Sequence, residues 1–348
     1  MTDDVIIEQQ GRIGRMRLNR PKAIHALNLA MCEAMLAALQ RWEQDGGVEA
    51  VLIDHSEGRG FCAGGDIRML AESGASDGVA ARQFFHTEYQ LNHKLFTYAK
   101  PVIAFMDGIT MGGGVGISAP ARYRIATENT RLAMPETGIG LFPDVGGGWH
   151  LSRLEGRVGV FLALTGARLD GAECKELGLA THYIASDKLE IVKAEIVAEP
   201  ERIDNILAKY NETPPEARIV GNIPVINRLF AASTVEEIMA ALEADDSDWA
   251  HKELATLRTK SPESMKVSLR LVEEGASLTD FADEMRKEYA IGGRVVMRHD
   301  FIEGVRALII DKDNAPNWSP ATPQEVSDAT IDAIFATLPE SEAWKPAD

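Results

Sequence analysis

The chain has 348 residues, of which 45% are hydrophobic, and 53 acidic side chains against 36 basic ones give a net charge of −17. That length supports one large domain or two smaller ones around a sizeable core. The acidic balance disfavours nonspecific nucleic-acid binding, and no apolar run approaches the ~18 residues of a membrane span, so neither kind of partner is expected.

In chain order, Val5 to Leu18 alternates loosely around Gly11 and Gly14 and reads as a β-hairpin. Asn28 is placed to cap a helix whose apolar face carries Cys32, Met35, Leu39 and Trp42, and Gly46-Gly47 ends it. Ala50 to Asp54 reads as a buried strand. Asp66 to Ala71 reads as a short helix and Val79 to Tyr98 as a longer one. Pro101 to Met106 is a strand, Gly108 to Gly116 a glycine-rich turn leading into a helix, and Tyr123 to Thr127 another strand. This alternation predicts an α/β fold with buried strands. Pro200 to Pro215 reads as a linking segment with one short helix.

After about Asp187 helical patterns dominate. They cover Leu189 to Val197, Val235 to Leu242, Trp249 to Leu257, Ser264 to Glu274 and Leu278 to His299. Ser261-Pro262-Glu263 is a strong helix start. Leu278, Phe281, Met285, Tyr289 and Val296 form one apolar stripe. The expected organisation is an α/β core over residues 1–200 and a mainly helical region over 201–348 packing on it. The acidic N-terminus lacks the basic and apolar regions of a signal peptide. Cys32, Cys62 and Cys174 match neither a disulfide framework nor a metal spacing. Reduced thiols and a cytoplasmic location are therefore expected.

Four segments carry possible chemistry. Phe61-Cys62-Ala63-Gly64-Gly65-Asp66-Ile67 follows a strand and opens a helix, where backbone N–H groups can bind an oxyanion or phosphate. It reads equally as a tight turn with Asp66 as the helix cap. In Asp107 to Gly116, the triplet Gly112-Gly113-Gly114 allows close approach of a ligand to the main chain. A helix beginning there would aim N–H groups at developing negative charge, although close helix–strand packing explains the glycines as well. The run matches neither a dinucleotide nor a P-loop fingerprint.

Glu136 and Asp144 lie eight residues apart in an apolar, Gly/Pro-rich stretch. Such surroundings raise carboxyl pKa values and suit a base or nucleophile. Capping of turns and helix starts is the competing explanation. Glu88 shares a helix face with Phe84, Leu91 and Leu95. A buried acid there needs either an ion-pair partner or a use. G-x-S-x-G is absent, so a serine-triad hydrolase finds no support, and no metal-ligand cluster is visible.

Taken together, Leu18-Asn19-Arg20-Pro21, FCAGGDIR from Phe61, PVIAFMDGITMGGG from Pro101, MPET from Met134 and the later glycine run resemble the crotonase (enoyl-CoA hydratase/isomerase) superfamily in order and spacing. Similarity extends through HDFIEGVRA from His299. Within that superfamily the closest resemblance is to the 3-hydroxyisobutyryl-CoA hydrolase branch. GITMGGGVGIS, MPETGIGLFPDVGGG, FLALTG from Phe161, the DKD tail from Asp311 and the length support it.

The resemblance implies a spiral of ββα units with a helical C-terminal region. It also implies an oxyanion hole from the N–H groups of Gly65 and Gly113. Coenzyme A would meet Lys22, Ala63, Gly64, Asp66 and Ile67. Glu136 would be catalytic together with Asp144, and Glu88, Gly113, Glu136 and Asp144 would bind substrate. Hydratases of this superfamily carry a glutamate two residues after the glycine triplet, where this chain has Gly116. That departure points to thioester hydrolysis of a short 3-hydroxyacyl-CoA, as in valine breakdown. Hydration or isomerisation of an enoyl-CoA, and non-catalytic acyl-CoA binding, are the alternatives. Acyl-CoA is the expected partner, with CoA belonging to the substrate and no retained cofactor or metal. The resemblance also allows a trimer-based homo-oligomer.

Overall fold

Alternating apolar residues build the sheet core. Ala50 and Leu52, Ile103 and Phe105, and Tyr123 and Ile125 point to one buried face, where they meet Ile184, Leu189, Val192, Ile196 and Leu207. A computed structural model describes residues 2–347. It divides into two units, each assembled from three stretches of chain. The first is Met1–Gly65, Gln90–Ala133 and Arg168–Val220, and the second is Asp66–Tyr89, Met134–Ala167 and Gly221–Asp348.

The named strands of the described residues all belong to the first unit. They are β1 (Val5–Gln10), β2 (Ile13–Leu18), β3 (Ala50–His55), β4 (Gly60–Cys62), β5 (Val102–Met106), β6 (Ile109–Met111), β7 (Tyr123–Ala126), β8 (Arg131–Ala133), β9 (Leu169–Asp170) and β10 (His182–Tyr183). One sheet has the order β1-β2-β3-β5-β7-β10 and the other β4-β6-β8-β9. The β1–β2 hairpin is antiparallel, as its alternation predicts, and the remaining pairs of the larger sheet are parallel. Each pass of the chain gives one strand to the large sheet and the next to the small one: β3 then β4, β5 then β6, β7 then β8. This is a ββ repeat, closed by a helix after β4 and after β6.

Two expectations change here. Gly108 to Gly116 is not wholly a turn, because Ile109–Met111 is strand β6, paired in parallel with β4 and β8. Three residues are too few to show a period. The helix expected from Leu278 to His299 runs instead from Phe281 to Val295, and a separate helix follows at His299–Val305. Asp280 starts the first by accepting a hydrogen bond from Ala282 N.

Asn28 caps the helix Leu29–Gln44 by accepting from Met31 N at 2.9 Å. The first unit also buries an ionic cluster, with Asp54 bound by Arg15 at 2.5 Å and Lys193 at 2.9 Å.

The second unit is helical. Its longer members are Val235–Glu243, Asp248–Leu257, Pro262–Gly275 and Phe281–Val295. The division is therefore not a single cut after residue 200. The strands do lie before that point, but Asp66–Tyr89 and Met134–Ala167 group with the later helices. Packing explains the second of these stretches. The helix Val158–Thr165 is buried along its whole length, so it needs apolar neighbours all round. It packs against Pro262–Gly275, and Phe161 stacks edge-on to Phe230. None of the described helices is long and apolar enough to cross a membrane.

Candidate active site

In the first unit the two glycine-rich segments meet. A Cβ on Gly64 would lie 3.7 Å from the Met111 carbonyl oxygen and 4.0 Å from Gly113 N, so these loops are adjacent although 48 residues lie between Gly64 and Gly113. Gly64 has φ +119° and Gly112 φ +47°, conformations that side chains resist. Gly113 is the first residue of the helix Gly113–Ser118, so its N–H has no intrahelical acceptor. Leu27 N donates to the Gly64 carbonyl at 2.7 Å, within a parallel bridge that pairs Leu27 with Gly65. A Cβ on Gly114 would stand 2.3 Å from the Cys62 carbonyl oxygen, so close packing also demands glycine here. Close packing thus accounts for Gly114, while Gly113 presents an N–H free of the helix ladder.

Lys22 sits on the exposed turn Pro21–Ala23. That turn leads to Ile24, whose carbonyl accepts from Ala63 N at 2.9 Å. Lys22, Ala63 and Gly64 therefore belong to one neighbourhood. Ile24 and His25 both have positive φ, 48° and 56°, and His25 holds the bend. Its Nδ1 accepts from Arg20 N at 3.0 Å, and its Nε2 lies 2.8 Å from the Glu57 carbonyl oxygen. Those partners require the neutral tautomer protonated at Nε2, and burial lowers the imidazole pKa in the same direction. Asp66 follows in the chain as the cap of Ile67–Gly74, accepting from Met69 N at 3.4 Å. The capping explanation thus holds for its side chain.

In the second unit the acids converge. Glu88, Glu136 and Asp144 are 2%, 5% and 6% exposed. Asp144 acts electrostatically on both glutamates, raising their pKa values further. Burial is the larger cause for each and pushes Glu88 and Glu136 well above the usual carboxylate range. Asp144 is pushed up to about 6 by burial, opposed by a hydrogen bond from Tyr89. Tyr89 Oη donates to Asp144 Oδ2 at 2.9 Å. Among the described residues, Glu88 Oε1 and Glu136 Oε2 have no hydrogen-bond partner. The ion-pair explanation for Glu88 therefore fails, and a base for Glu136 is absent as well. Buried polar atoms of this kind call for a ligand or a reaction to use them.

Glu136 opens a 3₁₀ turn, Glu136–Ile139, that is fastened on two sides. Thr137 Oγ1 donates to the Leu164 carbonyl at 3.1 Å, and Ser261 N donates to the Thr137 carbonyl at 3.0 Å. Ser261 Oγ in turn bonds Asp300 Oδ2 at 2.6 Å. Asp144 does not cap the following helix with its side chain: Gly146 occupies that position, without a side-chain bond. The capping explanation is thereby replaced for Asp144.

Tyr89, Thr137 and Glu288 escaped the sequence reading. Tyr89 stands next to Glu88, and adjacent helical residues point about 100° apart, so nothing in the spacing joins it to Asp144. Glu288 had a signal. With Glu284 it falls at i+3 and i+7 from Phe281, inside the apolar stripe, where acids are out of place. Among the described residues no group of three or more His, Cys, Asp or Glu could hold a metal ion.

Comparison with known proteins agrees with this architecture. The enoyl-CoA hydratase/isomerase family model matches residues 13–335. Mitochondrial 3-hydroxyisobutyryl-CoA hydrolase of Danio rerio is 42% identical, covering 97% of this chain and 90% of the relative. The human protein of that name is 41% identical, with 98% and 90% covered. Both are mitochondrial by name, which departs from the cytoplasmic location expected here. Among solved structures, a carnitinyl-CoA dehydratase from Mycobacterium thermoresistibile superposes with a TM-score of 0.94 and 39% identity, covering 97% of this chain and 98% of its own. An enoyl-CoA hydratase from Rhodobacter sphaeroides gives 0.92 and 38%, covering 99% and 100%. With that coverage in sequence and in structure, the chain has the crotonase fold and belongs to the enoyl-CoA hydratase/isomerase family.

Proposed function

We propose that this protein hydrolyses the thioester of a short 3-hydroxyacyl-CoA, with 3-hydroxyisobutyryl-CoA as the substrate, releasing the 3-hydroxy acid and free CoA. The observation that carries the reading is the set of buried carboxyls. Glu136 has an oxygen without a partner, Asp144 is held by Tyr89 beside it, and Gly116 stands where a hydratase needs its other glutamate. The animal relatives named for this activity add support through their coverage.

In this reading the Gly65 and Gly113 N–H groups donate to the thioester oxygen as it gains charge, which is worth about 3–4 kcal/mol per donor in comparable sites. Ionised Glu136 then attacks the carbonyl carbon, expelling CoA thiolate and leaving a mixed anhydride that water opens, or it deprotonates a water that attacks instead. Either route consumes one water and yields one carboxylic acid and one thiol. Asp144 accepts the substrate's 3-hydroxyl or assists proton transfer, and Glu88 contacts the acyl group. Lys22, Ala63, Gly64, Asp66 and Ile67 bind CoA. No retained cofactor or metal takes part, so dialysis against a chelator leaves the rate unchanged.

The test is thiol release from 3-hydroxyisobutyryl-, 3-hydroxypropionyl-, isobutyryl- and crotonyl-CoA. Fast release confined to the two hydroxylated thioesters is expected, because a site that hydrogen-bonds a hydroxyl rejects analogues lacking it. The names of the two solved structures favour a second reading, reversible hydration of an enoyl-CoA. Loss of the crotonyl double bond without thiol release would establish that reading and discard hydrolysis. Absence of any turnover would leave acyl-CoA binding alone. The proposed assembly is a homo-oligomer, which light scattering checks. For location the reading is a reducing aqueous compartment, which three buried cysteines suit. Fractionation of source cells distinguishes the cytoplasm from the mitochondrion.

A further inference from the structure

Two acids on the helix Phe281–Val295 have no place in the chemistry above. Glu284 and Glu288 are one helical turn apart and both are 0% exposed. Burying two carboxyls in a helical unit is costly unless something is gained. Glu288 uses both its oxygens on the loop that follows Asp144. Oε2 accepts from Gly146 N at 2.8 Å and Oε1 from Gly148 N at 3.4 Å. The loop it grips is strained. Val145 adopts φ +54° and Gly146 φ +88°, and a β-branched residue in the left-handed region persists only where its surroundings enforce it.

Glycine at 148 is also required by Glu284, since a Cβ there would stand 2.0 Å from Glu284 Oε1. Among the described residues neither Glu284 oxygen has a hydrogen-bond partner, and burial raises the pKa of both acids, with the charge of Glu284 raising that of Glu288 further.

We infer that Glu288 is a positioning residue for Asp144: its bidentate grip on Gly146 N and Gly148 N holds Val145 in its strained conformation and so presents the Asp144 carboxyl to Tyr89 and to the substrate's hydroxyl. The inference rests on the role given to Asp144 in the proposed function. An amide of the same shape cannot substitute. Glutamine offers one oxygen, and its NH₂ would face the second backbone N–H, donor against donor. Glu288 acts through the loop, so its loss is expected at the acyl end of the reaction.

The experiment is a double-mutant cycle on the full-length enzyme with Glu288→Gln, Asp144→Asn and the double variant, read as kcat, KM and the ratio of 3-hydroxyisobutyryl- to isobutyryl-CoA hydrolysis. Glu288→Gln is expected to lower kcat at least tenfold, to bring the selectivity ratio down towards that of Asp144→Asn, and to leave the Kd for free CoA within twofold. In the Asp144→Asn background it should change kcat less than twofold, because the residue it acts through is already gone. A merely structural role predicts a lower Tm with the ratio unchanged and the two losses multiplying, and that result overturns the inference. Should Glu288→Gln not fold, Glu288→Asp keeps a buried carboxyl but is too short to hold both N–H groups, and it carries the same cycle. If the wild-type enzyme shows no preference for the hydroxyl, the proposed function fails on the wild type alone. The cycle on whichever acyl-CoA is turned over then still decides the role of Glu288, with multiplicative losses overturning it.

Discussion

A carboxylate acting as nucleophile or base must be ionised, and the surroundings of Glu136 resist that. Burial comes first and the charge of Asp144 second, both raising its pKa. Turnover should therefore climb with pH through a limb lying well above the usual carboxylate range. Asp144→Asn removes one of the two causes, so the residual activity should show that limb at lower pH, checked by kcat profiles of both enzymes. A limb at unchanged pH would separate the two groups. Glu136→Gln should keep the fold and CoA binding while losing at least a hundredfold in kcat, since general acid–base steps contribute about 10²–10⁴. Lys22→Ala tests the CoA contact: KM should rise several-fold with kcat retained.

Helix starts and tight approaches set how each element presents its residues. Asn28→Ala removes the cap on Leu29–Gln44 and the bond from Asn28 Nδ2 to Asp4 Oδ2 at 2.7 Å. A loss of about 1 kcal/mol in denaturant unfolding is expected. Gly114→Ala is more severe for function. The new methyl would meet the Cys62 carbonyl at 2.3 Å and force β4 away from the helix beginning at Gly113. Overpacking of this kind costs about 1–3 kcal/mol. It also displaces the loop carrying Gly64 and Gly65, so kcat should fall more than stability alone explains. Thermal melts and kinetics on one preparation check both.

Across the whole molecule, two kinds of buried acid make stability depend on pH in opposite directions. Asp54 is held below its ordinary pKa by Arg15 and Lys193 against the effect of burial. Its contribution is complete above the unfolded value of about 4 and is lost as pH falls through its folded pKa. Asp144, pushed up to about 6, and Glu284, pushed up to about 7, have the reverse sign. The folded state binds more protons than the unfolded chain, so stability declines as pH rises from about 4 through those values, and Glu88, Glu136 and Glu288, raised well above the carboxylate range, continue the decline in the same direction. Tm should accordingly be higher at pH 5 than at pH 8. Glu284→Gln should reduce that difference by removing one titrating group, as differential scanning calorimetry would show. A Tm that rises between these pH values would contradict the placement of the acids.

Residue type and short-range pattern were enough to determine the hairpin, the Asn28 and Asp66 caps, the large-sheet strands other than the two-residue β10 and most C-terminal helices, because each depends on neighbours within a turn or a pleat. Glu88, Glu136 and Asp144 were also readable as candidates, since acids in apolar stretches are anomalous wherever the chain goes. The small sheet was not, because β4, β6 and β8 have three residues each and derive their pairing from strands more than twenty residues away. Nor could spacing reveal that Tyr89 holds Asp144, or that Glu288 grips the loop 140 residues before it. Those contacts join groups distant in the chain, and a one-dimensional period carries no information about them. Only tertiary packing decided that an acid on a late helix and a glycine run in mid-chain form one arrangement, because the hydrogen bonds of buried backbone N–H groups must be met by whatever the fold brings within reach.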